Sequence, residues 1–132
     1  MTKTALITGA SKGIGLEMAK IMANDQIDLV ITARSENKLK NLAQQLIQDF
    51  NIRVNYFACD LSREGNAEKL YHQIKNQGLH IDYLINNAGF GGHGFFKQMK
   101  WEDINQMIEV NIKALTQLAL LFGKEMTERN SG

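Results

Sequence analysis

Gly9, Gly13 and Gly15 stand in a G-x3-G-x-G spacing within Thr8-Gly9-Ala10-Ser11-Lys12-Gly13-Ile14-Gly15, between an apolar run and an amphipathic stretch. A glycine-rich turn leading from a strand into a helix leaves backbone N–H groups and a helix N-terminus free to hold a phosphate. Three physical jobs fall to the glycines: a tight turn, close backbone approach to the anion, and close packing of helix on strand. The spacing differs from the commoner G-x-G-x-x-G, and no G-x4-G-K followed by Ser or Thr occurs, which excludes a P-loop. The segment therefore predicts a dinucleotide site contacted by Gly9, Ser11, Lys12, Gly13, Ile14 and Gly15. The plain alternative is a glycine-rich turn with no ligand.

Further along, Ala33-Arg34-Ser35 follows the second apolar run. A carboxylate there would accept from the ribose hydroxyls of NAD. Arg34 instead offers a bidentate partner for a 2′-phosphate, with Ser35 beside it and Lys12 adding a second positive charge. NADP is the expected cofactor, against the alternative of two solvated cations. Asp60-Leu61 follows the third run, where an adenine would lie; Asp60 either accepts from the adenine amino group or anchors the turn before Ser62. Asn86-Asn87-Ala88-Gly89 ends the fourth run, and its amides can tie loops together while Ala88 and Gly89 let a ribose approach. His93, in the glycine- and phenylalanine-rich loop that follows, reads as a surface residue. Asn111 interrupts an apolar helical stripe; it either props the helix or holds a water or side chain at a site.

These residues need a frame that brings them to one edge, and the chain supplies alternating strands and helices. Thr4–Thr8, Leu29–Ala33 and Tyr83–Ile85 are short apolar runs suited to strands buried on both faces. Ile52–Ala58 alternates Arg53 and Asn55 with Val54 and Tyr56, as expected of a strand with a wet face or at a sheet edge. Glu36–Phe50 carries Leu39, Leu42, Ala43, Leu46, Ile47 and Phe50 at helical spacing behind Ser35, a good N-cap. Arg63–Gln77 repeats the pattern behind Ser62, with Gly78 closing it. A last helix, about Trp101 to Thr127, places Ile104, Met107, Ile108, Leu115, Leu118, Ala119 and Phe122 on one side. Right-handed crossovers give the strand order 3-2-1-4.

With 132 residues, 44% of them hydrophobic and 22% charged, the chain reads as a single globular domain over 1–132. A net charge of +1, from 15 basic and 14 acidic residues, gives no field to draw nucleic acid or anionic lipid. One cysteine, Cys59, excludes an internal disulfide and reads as a buried structural thiol. Neither a secretion signal nor an apolar span long enough for a membrane is evident, so a cytoplasmic location is expected. No metal site is read from the sequence.

Taken together, the glycine turn, Asp60, Asn86-Asn87-Ala88-Gly89 and Asn111 resemble the short-chain dehydrogenase/reductase family in its NADP-preferring form, along essentially the whole chain. The resemblance implies a Rossmann-like, doubly wound parallel sheet and hydride transfer between NADP(H) and a carbonyl or alcohol. It also implies that Asn111 belongs to a catalytic tetrad and holds a water in a proton relay. The family's catalytic serine and its tyrosine and lysine four apart follow the helix carrying Asn111. This sequence reaches Gly132 about where a fifth strand would begin. The expectation is thus a fold truncated before that strand: the NADP-binding part of such an oxidoreductase, inactive as an isolated chain. Tyr71-His72-Gln73-Ile74-Lys75 spells Y-x-x-x-K, but on a helix whose apolar stripe includes Tyr71, so it is refused as a catalytic pair. Two other readings are a non-catalytic module that binds NADP or self-assembles, and an inactive relic. An uncovered edge at Tyr83–Asn86 or the Leu115–Phe122 face is expected to drive homo-oligomerisation.

Overall fold

The structure, a computed structural model, describes residues 2–132. Four strands, β1 (Thr4–Thr8), β2 (Asp28–Ala33), β3 (Val54–Ala58) and β4 (Tyr83–Ile85), form one parallel sheet in the order β3-β2-β1-β4. Helix α1 (Gly13–Asn24) joins β1 to β2, α2 (Glu36–Phe50) joins β2 to β3, and α3 (Asn66–Asn76) joins β3 to β4. After a long loop come α4 (Trp101–Ile108), a π-helical segment over Glu109–Ala114, and α5 (Leu115–Glu128).

Alternation along the central strands sorts the core into two layers. Ala5, Ile7, Leu29 and Ile31 pack with Ala19 and Ala23 of α1 and Leu39 and Leu46 of α2. Leu6 and Val30 point the other way, onto Leu70 and Ile74 of α3 and Leu118 and Phe122 of α5. Both faces of β1 and β2 are covered, which is why their sequences run apolar without a polar alternate. Mixed β3 lies at the sheet edge, as its alternation predicts, and begins at Val54 rather than Ile52. Asp28, buried at the start of β2, fastens that edge: its carboxylate accepts from the Arg53 backbone N at 2.9 Å and from Nε at 2.8 Å.

Ser35 caps α2 as predicted, accepting from the Lys38 backbone N. Gly78 follows α3 with φ 69°, the expected closing glycine. Ser62 does not cap α3. That helix starts three residues later than predicted, behind Gly65, because the Ser62 N–H and hydroxyl both donate to Asp60 instead.

The last helix departs furthest from its prediction. Its π segment inserts an extra residue into a turn and rotates the faces on either side. The buried stripe becomes Val110, Ala114, Leu118 and Phe122, while Ala119 is exposed and Leu115 half-buried. Asn111 consequently lies on the exposed side and not, as expected, on the buried one.

Candidate functional site

Sequence forces the turn after β1 into shape before any ligand is considered. Gly9 adopts φ 65°, a left-handed conformation that costs glycine nothing. A Cβ at Gly15 would fall 2.3 Å from the Gly9 carbonyl oxygen and 2.5 Å from Asn87 Nδ2. Only a glycine there lets α1 lie this close to the end of β1. Helix α1 begins with no side-chain cap and no acidic residue in its first turn, so its N-terminal N–H groups and its partial positive charge face outward.

Thr8 and the two consecutive asparagines hold the neighbouring strand end against this turn. Thr8 Oγ1 accepts from the backbone N–H groups of Asn87 at 3.0 Å and Ala88 at 2.9 Å. In return, Asn87 Nδ2 donates to the Thr8 and Gly9 carbonyls at 3.1 and 3.2 Å. Asn86 Nδ2 reaches the other way, to the Leu115 carbonyl at 3.3 Å. The amides tie loops together, as their positions suggest.

A cavity of about 660 Å³ opens along the carboxyl ends of the strands, within the range of small-molecule and cofactor sites. Gly9, Ser11, Lys12, Gly13 and Ile14 form one wall; Arg34 and Ser35 form another, after β2. Asp60 and Leu61 line it after β3, and Asn87, Ala88 and Gly89 after β4. Twelve of the predicted binding residues therefore meet at one cavity. Gly15 is not among them: it sits behind the wall, where its role is packing.

Asn111 also lies off the cavity wall. Its Oδ1 accepts from the Phe90 backbone N at 3.1 Å and its Nδ2 donates to the Phe90 carbonyl at 2.7 Å. The amide thereby pairs with both backbone groups of Phe90, which does line the cavity. Gly89 is held so close that a Cβ there would lie 2.9 Å from Asn111 Oδ1.

Charge is arranged unevenly around the opening. Lys12, Arg34 and Lys38 all line it, and none of the three forms an ion pair among the described residues. Lys38 was not singled out in the sequence; its place one helical turn beyond Arg34, in the first turn of α2, was the available signal. Asp60 is the nearby carboxylate, and it does anchor the turn: Oδ1 accepts from Ser62 N at 3.0 Å and Ser62 Oγ at 2.7 Å. The Ser62 hydroxyl bond chiefly holds the Asp60 carboxyl below its usual range, with Arg63 and Arg34 helping. Cys59, expected to be buried, is half-buried: it packs against the core and also lines the cavity. Burial pushes its thiol up to about 11, so it stays protonated at neutral pH.

Tyr71 and Lys75 are engaged elsewhere. The Tyr71 hydroxyl and Lys75 Nζ (2.8 Å) both donate to the Glu125 carboxylate, clamping α3 to α5. Sequence offered no sign of Glu125, because it lies 54 residues from Tyr71.

A parallel sheet in this order, with its cavity at the strands' carboxyl ends, defines a Rossmann-like α/β protein. The chain belongs to the short-chain dehydrogenase family, whose sequence pattern matches residues 3–132. It is 32% identical over 130 residues to the 3-oxoacyl-(acyl-carrier-protein) reductase of Rickettsia prowazekii, covering 98% of this chain and 51% of that one. A short-chain dehydrogenase from Sphingobium yanoikuyae, solved in complex with NADPH, superposes with a TM-score of 0.91 at 35% identity, over 98% of this chain and 51% of that one. A bulky-bulky ketone specific alcohol dehydrogenase from Comamonas testosteroni superposes with the same score of 0.91 at 31% identity, over 98% and 52%. The chain thus spans about half the length of the relatives it matches. Among the described residues no helix is long and apolar enough to cross a membrane.

Proposed function

We propose that this chain is the NADP(H)-binding part of a short-chain oxidoreductase that moves hydride between the coenzyme and a carbonyl or alcohol. One observation carries the reading. Three cations without carboxylate partners, Lys12, Arg34 and Lys38, share a cavity with an uncapped helix N-terminus. That set fits a ligand bearing anionic groups in two places. A pyrophosphate suits the glycine turn at Gly9, Ser11, Lys12, Gly13 and Ile14, with Gly15 acting through packing. A 2′-phosphate suits Arg34, Ser35 and Lys38. Asp60 and Leu61 would border the base, and Asn87, Ala88 and Gly89 a ribose. The NADPH complex of the Sphingobium relative supports the same coenzyme class.

The coenzyme would supply the hydride. Asn111 would contribute by holding the Phe90 backbone in place beside the cavity and, as the family implies, by holding a water. On the described wall Cys59 holds its proton too tightly to protonate a carbonyl oxygen, Asp60 has already lost its own, Lys12 and Lys38 are taken up by the phosphates in this reading, and no described tyrosine lines the cavity. We therefore expect the 132 residues alone to bind coenzyme and turn over little or nothing. Titration following dihydronicotinamide fluorescence tests this, with NADPH expected to bind at least tenfold more tightly than NADH. Thermal melting should show stabilisation that grows with coenzyme concentration. Equal affinity for the two coenzymes would overturn the 2′-phosphate assignment.

Self-association is the second part of the reading. Among the described residues the outer edge of β4 has no strand partner, and Ile112 and Leu120 are 58% and 55% exposed on the last helices. Within the expected Leu115–Phe122 face, Leu118 and Phe122 are buried inside, so the face available for contact is the one bearing Ile112, Ala119 and Leu120.

A further inference from the structure

Most polar side chains on the cavity wall already have partners within the protein. Asn87 Nδ2 is engaged with the Thr8 and Gly9 carbonyls, Thr32 Oγ1 donates to the Phe57 carbonyl, and Asp60 Oδ1 accepts twice from Ser62. The exceptions are Ser11 in the glycine turn, the cations, and one amide. The cations stand at the glycine turn and the start of α2. On α4 stands Gln106, a half-buried primary amide that lines the cavity and makes no side-chain hydrogen bond among the described residues.

Gln106 sits one helical turn before Val110, so both fall on the same helix face. Val110 and Leu61 are buried and line the cavity together with Ala88. This is the apolar part of the wall, suited to the flat faces of a base. If the phosphates lie at the glycine turn and Arg34, as the proposed function has it, the adenine projects into this slot. A glutamine amide matches the exposed edge of adenine: the carbonyl accepts from the amino group while the NH₂ donates to N7.

We propose that Gln106 is the base-reading residue of this cavity, pairing with the amino/N7 edge of the coenzyme's adenine. This inference depends on the NADP(H) reading above. It adds a specificity that charge at Arg34 cannot supply, because the 2′-phosphate carries no information about the base.

The test compares NADPH with its hypoxanthine analogue, in which an oxygen replaces the adenine amino group. Both carry the same dihydronicotinamide, so one fluorescence titration of the 132-residue chain serves for both. Wild type should prefer adenine by about fivefold to tenfold, the worth of one hydrogen bond. Gln106→Ala should reduce that preference to within about twofold, leaving the NADPH-over-NADH ratio unchanged. Gln106→Glu should bind both ligands more weakly yet raise the preference above wild type, since a carboxylate accepts from the amino group and repels the hypoxanthine oxygen. A shape effect alone would not produce that opposite response. Because the Gln106 side chain makes no hydrogen bond among the described residues, both variants should melt as wild type does. Full adenine preference in Gln106→Ala, or no preference in wild type, would overturn the assignment while leaving the coenzyme site standing. Failure of wild type to bind either dinucleotide would overturn both.

Discussion

The two sides of the sheet's carboxyl edge are built differently. On the side of β1, β2 and the glycine turn, strands are paired on both edges and residues 5–8 and 28–32 are buried throughout. Positions there are fixed by backbone, by close glycine contacts and by threonine hydroxyls. On the side of β4, a three-residue strand has one free edge, residues 89–98 are exposed, and Phe95, Phe96 and Trp101 are each at least 70% exposed. That side is held by side-chain amides: Asn86, Asn87 and Asn111. The first side suits a preformed cradle for an anion, whereas the second presents an open strand edge and exposed aromatic side chains. The comparison teaches that one part of the sheet's edge is fixed by backbone and the other by side-chain amides, so that the proposed coenzyme cradle can be perturbed apart from the open side.

The cradle is where substitution should cost most. Gly15→Ala places a methyl group against the Gly9 carbonyl, which is backbone and cannot swing aside. Helix α1 must shift, and we expect a loss of about 3 kcal/mol in chemical denaturation together with loss of NADPH binding. A variant of wild-type stability would mean that the turn is softer than its contacts indicate. Next in size is Arg34→Ser, which would remove the proposed charge-assisted pair with the 2′-phosphate. NADPH affinity should fall by roughly 10- to 100-fold with NADH affinity unchanged. A parallel fall for both coenzymes would move Arg34 from phosphate recognition to general field effects.

The same contrast explains what could be read in the sequence. The cradle side was legible because its determinants are local: the Gly9–Gly15 spacing, the Ser35 cap, and apolar runs of strand length. The alternation of strands and helices then gathered the scattered pieces, Asp60 and Asn86–Gly89, to one edge. Illegible features depend on distant partners or on irregular backbone. The π segment shifted the buried stripe of the last helix because a 3.6-residue period assumes an unbroken turn. Ser62 lost its predicted cap role to Asp60, a competition between two local hydrogen-bonding patterns that spacing cannot decide. Glu125 stayed hidden because nothing near it in sequence announces Tyr71 or Lys75. Gln106 and Lys38 escaped notice as ordinary polar residues on helices, significant only once a cavity faces them.

The Tyr71–Glu125–Lys75 clamp gives an intermediate effect with a definite pH signature. Burial alone would raise the Glu125 carboxyl, but hydrogen bonds from Lys75 and Tyr71 and the charges of Lys75 and Arg129 hold it below its ordinary 4.5. A lowered folded value means that the stabilisation is complete above about pH 4.5 and is lost as pH falls through the folded value. Asp60 titrates in the same direction, so the contribution is isolated by comparison with Glu125→Gln, whose acid sensitivity should be smaller. At the other end, the Tyr71 hydroxyl, pushed up to about 12 chiefly by its bond to Glu125, keeps that bond until pH rises towards 12. Tyr71→Phe should cost about 1 kcal/mol and leave NADPH affinity untouched. Altered coenzyme binding in Tyr71→Phe would place this tyrosine in the site and sink the separation drawn between the clamp and the cavity.

The smallest change in stability should accompany the largest change in assembly. Ile112 and Leu120 stand exposed on the last helices, and neither belongs to the packed core. Replacing both with lysine removes apolar surface that water already touches, so stability should move by no more than about 0.5 kcal/mol. If this face drives association, sedimentation velocity should show wild type as an oligomer and Ile112→Lys/Leu120→Lys as a monomer, with the same melting temperature and the same NADPH affinity. Should the doubly substituted chain still associate, the unpaired backbone of β4 becomes the point of contact. Lysine in place of Tyr83, on that strand and 40% exposed, would then be the substitution that separates the copies. A wild-type monomer at high concentration would instead show that the open side is tolerated uncovered, and that its apolar exposure alone does not make an interface.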